Sequence, residues 1–177
     1  MNAPYLLVLI PGTAWVTGNL MLGIIAAKTL FAQAPAPMAA VGPDQISRAM
    51  AGDLFGSMLL QWYGLPLTLL CLTTCIGLGW LAGLAKRAGK RLTAGALIAA
   101  FVALALLHRQ TVHVIQEVGN QAQQLAKTPP EAAEVPRLAF QRAHLQSEQL
   151  VKLETLVVLV LTIGTAVALV RRRPPKT

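Results

Sequence analysis

Four stretches of this chain carry no charged side chain, and each is long enough to cross a lipid bilayer. They are residues 1–27, 54–85, 92–108 and 155–170, the last lengthened upstream by Leu150, Val151 and Leu153. A spanning helix needs roughly 20 predominantly apolar residues, within about 17–25. Lipid gives the backbone no hydrogen-bond partner, so a spanning segment must satisfy its own N–H and C=O groups, and a helix does this locally. Only 12% of the 177 residues are charged, about half the fraction of an average soluble domain. The expected fold is all-α: a single domain over residues 1–177, a four-helix transmembrane bundle with spans at about 5–31, 64–85, 92–108 and 150–170.

The charges give this bundle a direction. The chain holds 15 Lys and Arg against 7 Asp and Glu, a formal net charge of +8. All of that excess sits in two clusters: Lys86, Arg87, Lys90 and Arg91 between spans two and three, and Arg171, Arg172, Arg173 and Lys176 after span four. Positive loops are retained on the cytoplasmic side, so the expected location is the cell's inner membrane, with both termini cytoplasmic. The bilayer is then the first partner. The basic groups flank apolar runs and form no stripe interleaved with aromatics, which speaks against nucleic acid. Ala32-Gln33-Ala34 resembles a signal-peptidase site, but no positive region precedes the apolar run, and that run far exceeds the about 7–15 residues of a signal-peptide core. The first span is therefore expected to be retained.

Helices two, three and four are too long for the membrane alone. Counting back from Lys86 at ~1.5 Å per residue, the hydrocarbon is crossed by about Pro66. Ile46 to Tyr63 is thus expected to project outward, with Asp44 as N-cap, Trp62 and Tyr63 in the interfacial aromatic belt, and a bend at Gly64 and Pro66. Pro11-Gly12 is expected to kink span one near its inner end. Ile115, Val118, Ala122 and Leu125 recur at helical spacing beyond span three. Helix three should end at Thr128-Pro129-Pro130, with helix four starting near Pro136. Residues 109–149 then form an outer hairpin, a surface for a protein partner or for self-association.

One face of helix four carries Phe140, Ala143, Ser147, Leu150 and Glu154, with His144 at its edge. Glu154 precedes Arg171 by 17 residues, ~25 Å along a helix, which puts an ionisable group inside the outer edge of the hydrocarbon. Such a group suggests function by default. A hairpin centred near residues 130–131 places His108 level with about residue 153, and Glu117 level with His144. The candidate polar site is therefore His108 and Glu154 at the outer mouth, with His144 and Ser147 above. The plainer reading is a hydrogen bond that ties two helices together.

Other combinations are weaker. His113/Glu117 and His144/Glu148 have i,i+4 spacing, but His113 and Glu117 fall opposite the apolar seam, whereas bundle metal ligands point inward. His108 and His144 are offset by about 15 Å in height, too far for one haem. Cys71 and Cys75 share a face of helix two and read as packing. Gly79-x-x-x-Gly83 fits close helix approach, and Lys28 is expected to snorkel to the interface. No metal or cofactor is expected. No nucleophile accompanies His108 and Glu154 in the sequence pattern, so the chain is read as no enzyme but an interaction or scaffold protein; the alternative is solute or metal-ion handling through the polar mouth.

Three stretches together resemble a known family: Thr29 to Pro35 closing helix one, Ala49 to Gly56 leading into span two, and Phe140 to Ser147 opening helix four. The pattern is similar to the transmembrane protein 205-like domain, a family of four-helix membrane proteins with a Phe near the end of helix one, a Leu-Phe entry to helix two and a Phe-x-x-x-His-x-x-Ser entry to helix four. His144 and Ser147 occupy that last motif. The resemblance implies the four-span topology and no particular reaction or ligand. Residues Glu131 to Pro136 add length that the family pattern lacks.

Overall fold

The computed structural model describes residues 3–32, 48–129, 132 and 134–171, and nearly all of them are helical. The first span is α1 (Ala3–Leu20), a π-helical segment (Met21–Ala26) and α2 (Ala27–Ala32); α3 (Arg48–Tyr63) and α4 (Leu65–Arg87) follow, then α5 (Arg91–Lys127) and α6 (Glu134–Arg171). Four of the resulting rods are long and apolar enough to cross a membrane. The all-α four-helix bundle is thus what the uncharged stretches dictate. Asp44, Ile46 and the C-terminal residues after Arg171 lie outside the described residues.

Helix α1 runs on through Pro11, and the departure from α geometry comes later, at Met21–Ala26. A proline within a helix forfeits one backbone bond, a loss that neighbouring helices make tolerable in membrane spans. Between α3 and α4 the break is at Gly64, as expected: its amide still donates to Leu60 O (2.9 Å), Pro66 in the first turn of α4 has no amide to offer, and helical bonding resumes with Thr68 N to Gly64 O (3.3 Å). Phe31 of α2 meets Phe55 of α3 edge-on, with ring centroids 6.3 Å apart.

The tight connection from α4 to α5 explains why four basic residues stay together. Lys90 N donates to Ala85 O (2.9 Å), Gly89 N donates to Lys86 O (3.0 Å), and Gly89 adopts φ +74°. This is the Schellman arrangement, whose left-handed residue is glycine because no Cβ is present to clash. Lys86 and Arg87 occupy the last turn of α4 and Arg171 that of α6, where cations complement the helix dipole.

The helices pack in the cyclic order α1, α4, α5, α6 and back to α1, with α3 and α2 continuing at one end. Chain neighbours are antiparallel: Tyr5 and Val8 of α1 cluster with Leu78 and Leu81 of α4, whereas Trp15 clusters with Leu67 and Cys71. The start of α1 and the basic ends of α4, α5 and α6 therefore share one end of the bundle. Close approach of α1 uses small residues. A Cβ on Gly18 would run into the Trp62 ring, and one on Gly77 would sit 2.8 Å from Val8. Gly79 and Gly83 do not serve this purpose: both have open space around them, so the expected small-residue seam lies on an outward face of α4. The outward faces of the four rods are largely apolar, with Ile10, Leu69, Leu106, Leu156, Val160 and Ile163 all exposed. In water so much apolar surface would drive association; in lipid it is the solvated face.

Candidate functional site

A polar centre, buried except at Thr68, joins the four ring helices, one side chain from each. Glu154 of α6 is completely buried and His108 of α5 is 6% exposed. Glu154 Oε1 lies 2.8 Å from His108 Nδ1. On the other side of the imidazole, Nε2 lies 3.2 Å from the hydroxyl of Thr68 on α4. Trp15 of α1, also fully buried, stands edge-on to the imidazole at 5.4 Å between centroids. With a neutral ring, a carboxylate at Nδ1 fixes the proton there, so that Nε2 accepts from the Thr68 hydroxyl.

This arrangement follows from the helix faces. His108 falls on the stripe that carries Leu104, Thr111 and Ile115 into the interior, and Glu154 on the one that carries Ser147 and Val158. A charge taken out of water is costly unless paired and hydrogen-bonded, and His108 supplies that pairing for Oε1. Glu154 Oε2 and the Trp15 indole nitrogen are buried and make no hydrogen bond. The Tyr63 hydroxyl is an electrostatic neighbour of Glu154.

A second polar group flanks the first. Asn19 of α1 accepts from Trp62 Nε1 (2.8 Å), and its amide nitrogen donates to the Tyr63 hydroxyl (3.1 Å) and to Thr155 Oγ1 (2.7 Å). Thr155 in turn donates to Val151 O (2.7 Å). Adjacent residues 154 and 155 of α6 thus anchor two networks, one toward α5 and α4 and one toward α1 and α3.

Of the four residues expected in the polar mouth, the structure brings His108 and Glu154 together and leaves the other two above. Ser147 is buried and its hydroxyl donates to the His144 carbonyl (2.7 Å). His144 is exposed and its ring stacks on Phe140 at 5.8 Å. Helical rise alone separates His144 from Glu154 by about 15 Å. His113 is exposed, and Glu117 accepts from Gln121 (2.6 Å). Cys71 and Cys75 are buried in the core, with Cys75 Sγ 4.0 Å from Phe101 O. Among the described residues no three His, Cys, Asp or Glu side chains come close enough to hold a metal ion.

Sequence patterns alone missed Thr68 and Asn19. The shorter hairpin carries the signal for Thr68: a turn centred on Gly89 sets residue 68 level with about residue 110. Two surface hollows, of about 380 Å³ against Gly18, Met58 and Trp62 and about 640 Å³ along Ile10, Thr13 and Thr17, are lined by neither His108 nor Glu154. Compared with known protein families, curated proteins and solved structures, the chain matches none.

Proposed function

We propose that this is an inner-membrane protein with both termini cytoplasmic that acts as an interaction or scaffold protein, docking a protein partner or a second copy through helices standing outside the bilayer. The observation that carries this reading is the sealing of the His108–Glu154 pair. Glu154 is 0% and His108 6% exposed, and neither hollow is lined by them. Solute or ion handling calls for a wet path to such groups; a tie between helices calls for closure.

Height along the helices supports the outward extensions. Glu154 precedes Arg171 by 17 residues, ~25 Å, so the part of α6 before residue 150 stands beyond a roughly 30 Å hydrocarbon layer. On that part Val135, Leu138 and Leu145 are 76%, 47% and 57% exposed. Met50 and Leu54 of α3 are exposed at the same end. Apolar surface outside the lipid marks a protein contact.

The test combines topology with cross-linking. Reporter fusions at residues 88 and 130 are expected to read cytoplasmic and periplasmic respectively, and a photo-cross-linker at Leu145 is expected to trap one discrete adduct in intact membranes. A cytoplasmic reading at 130 overturns the topology. A Leu145 position that traps only lipid overturns the scaffold role.

A further inference from the structure

Thr68 behaves unlike the threonines around it. The hydroxyls of Thr13, Thr73, Thr74, Thr111, Thr155 and Thr165 each donate to the carbonyl four residues back in their own helix, at 2.6–2.9 Å. This is how a helix absorbs a hydroxyl in an apolar setting. Thr68 instead turns to His108 Nε2 on another helix. Its partner is a buried imidazole whose far nitrogen is held by a fully buried carboxylate. Hydroxyl, imidazole and carboxylate in series, with the base oriented by the third group, is the arrangement that activates an oxygen nucleophile.

The surroundings add three features. Thr68 is exposed as a residue whereas His108 and Glu154 are not, and its bond to His108 is part-buried, so the series opens to the surface at Thr68 and is dry behind it. It sits in the first turn of α4, where Gly64 is the N-cap and Thr68 is the first residue bonded back into the helix. The Leu65 and Leu67 amides ahead of it therefore have no acceptor four residues back, and unpaired amides at a helix start favour developing negative charge. Finally, Thr68 lies 18 residues before Lys86, ~27 Å, at the outer edge of the hydrocarbon. Leu65, Leu69 and Leu72 around it are 71%, 51% and 56% exposed, an acyl-chain-facing surface. A residue at that depth stands level with the ester region of a bilayer lipid.

We propose that Thr68, His108 and Glu154 form an acyl-transfer site that acts on an ester-linked lipid, an activity beyond the scaffold role and independent of it. In the first half, Thr68 Oγ bonds to the ester carbonyl carbon while its proton passes to His108 Nε2, and the carbonyl oxygen takes the negative charge beside the Leu65 and Leu67 amides. The intermediate collapses as the ester C–O bond breaks, and the leaving alcohol takes the proton from His108. In the second half, water attacks the acyl-Thr68 carbonyl, gives its proton to His108, and the carbon–Oγ bond breaks with return of that proton to Thr68. Ester and water become acid and alcohol, with no change in oxidation state. Thr68 and His108 are catalytic residues here; Glu154 is a positioning residue.

The experiment uses the purified full chain in lipid nanodiscs, with a long-chain fluorophosphonate as covalent probe and a fluorescent ester phospholipid, alongside its ether-linked analogue, as substrate. One phosphonyl adduct on the peptide holding Thr68 is expected, with fatty acid released from the ester lipid and none from the ether lipid. Thr68→Val, which keeps the shape and loses the hydroxyl, should remove the adduct and lower release on the order of 100-fold or more, in a chain that still melts cooperatively above the assay temperature. Thr68→Ser should restore both. Glu154→Gln should lower kcat and leave KM in place. A folded wild-type chain with no adduct and no release above protein-free nanodiscs overturns the proposal. So does an adduct on another residue, or release that survives Thr68→Val.

Discussion

His108 Nδ1 on α5 stands 2.8 Å from Glu154 Oε1 on α6, a histidine–carboxylate contact that is sealed from solvent. Lys152 and Glu148, by contrast, are 71% and 52% exposed, and such surface pairs contribute little. Removing one partner of a buried pair leaves the other charge stranded, at a cost of about 3–5 kcal/mol, whereas replacing both by apolar groups is close to neutral. His108→Leu should therefore destabilise the bundle far more than the double change His108→Leu/Glu154→Leu. Reversible unfolding in mixed micelles of the two single variants and the double variant checks this. Additive losses across that cycle would show that the two residues are uncoupled.

This contact was legible before the fold because a single tight hairpin sets its register. A turn centred at 130–131 put His108 opposite residue 153, one residue from its true partner. Hydropathy fixed the four rods for a similar reason: an uncharged run must cross lipid as a helix. The break at Gly64 was legible because proline removes a donor in the turn that follows. Asn19 was not, since residues 33–47 separate it from α3 and so long a connection fixes no register between Asn19, Trp62 and Tyr63. His144 and Ser147 share a face with Glu154, and counting ~1.5 Å per helical step placed them above the His108–Glu154 pair, where the structure has them.

Glycine positions divide into those that admit a neighbour and those that face outward. Any side chain at Gly18 pushes on the Trp62 ring and thereby on its 2.8 Å bond to Asn19. Gly18→Ala should cost about 1–3 kcal/mol, as overpacking of interiors does. Gly79→Ala and Gly83→Ala meet open space and should stay within about 0.5 kcal/mol of wild type. Thermal melts of the three variants in one detergent suffice to compare them. Equal losses at Gly18 and Gly79 would contradict the packing described.

The turn after α4 depends on a left-handed residue. Gly89 has φ +74°, a conformation that costs an L-residue with a Cβ about 1–2 kcal/mol. Gly89→Ala should lower stability by about that amount, although its position has no neighbouring atom for a methyl group to strike. Gly89→Asn should recover part of the loss, because asparagine tolerates this region better than alanine. The ranking Gly, Asn, Ala in melting temperature is the expected result. An alanine variant as stable as wild type would mean that the turn has another accessible conformation.

Asn19 is the remaining point where one substitution disturbs several helices. Its carbonyl accepts from Trp62 (2.8 Å), and its nitrogen serves Tyr63 (3.1 Å) and Thr155 (2.7 Å). Asn19→Leu keeps the branched shape but leaves the half-buried Trp62 indole without its acceptor and the buried Tyr63 hydroxyl without its donor, and a buried polar group without a partner costs about 1–3 kcal/mol. Thr155→Val removes only one of two acceptors for the Asn19 nitrogen, and the Thr155 hydroxyl was already donating within its own helix. The asparagine change should therefore be the more destabilising of the two by about 1 kcal/mol or more. Because Trp62 loses a hydrogen bond, its fluorescence should also shift in Asn19→Leu and hold in Thr155→Val. A Trp62→Phe background identifies which part of the signal belongs to that indole, with Trp15 and Trp80 remaining. If both variants unfold alike and neither alters the Trp62 emission, Asn19 does not tie α1 to α3 as its contacts indicate.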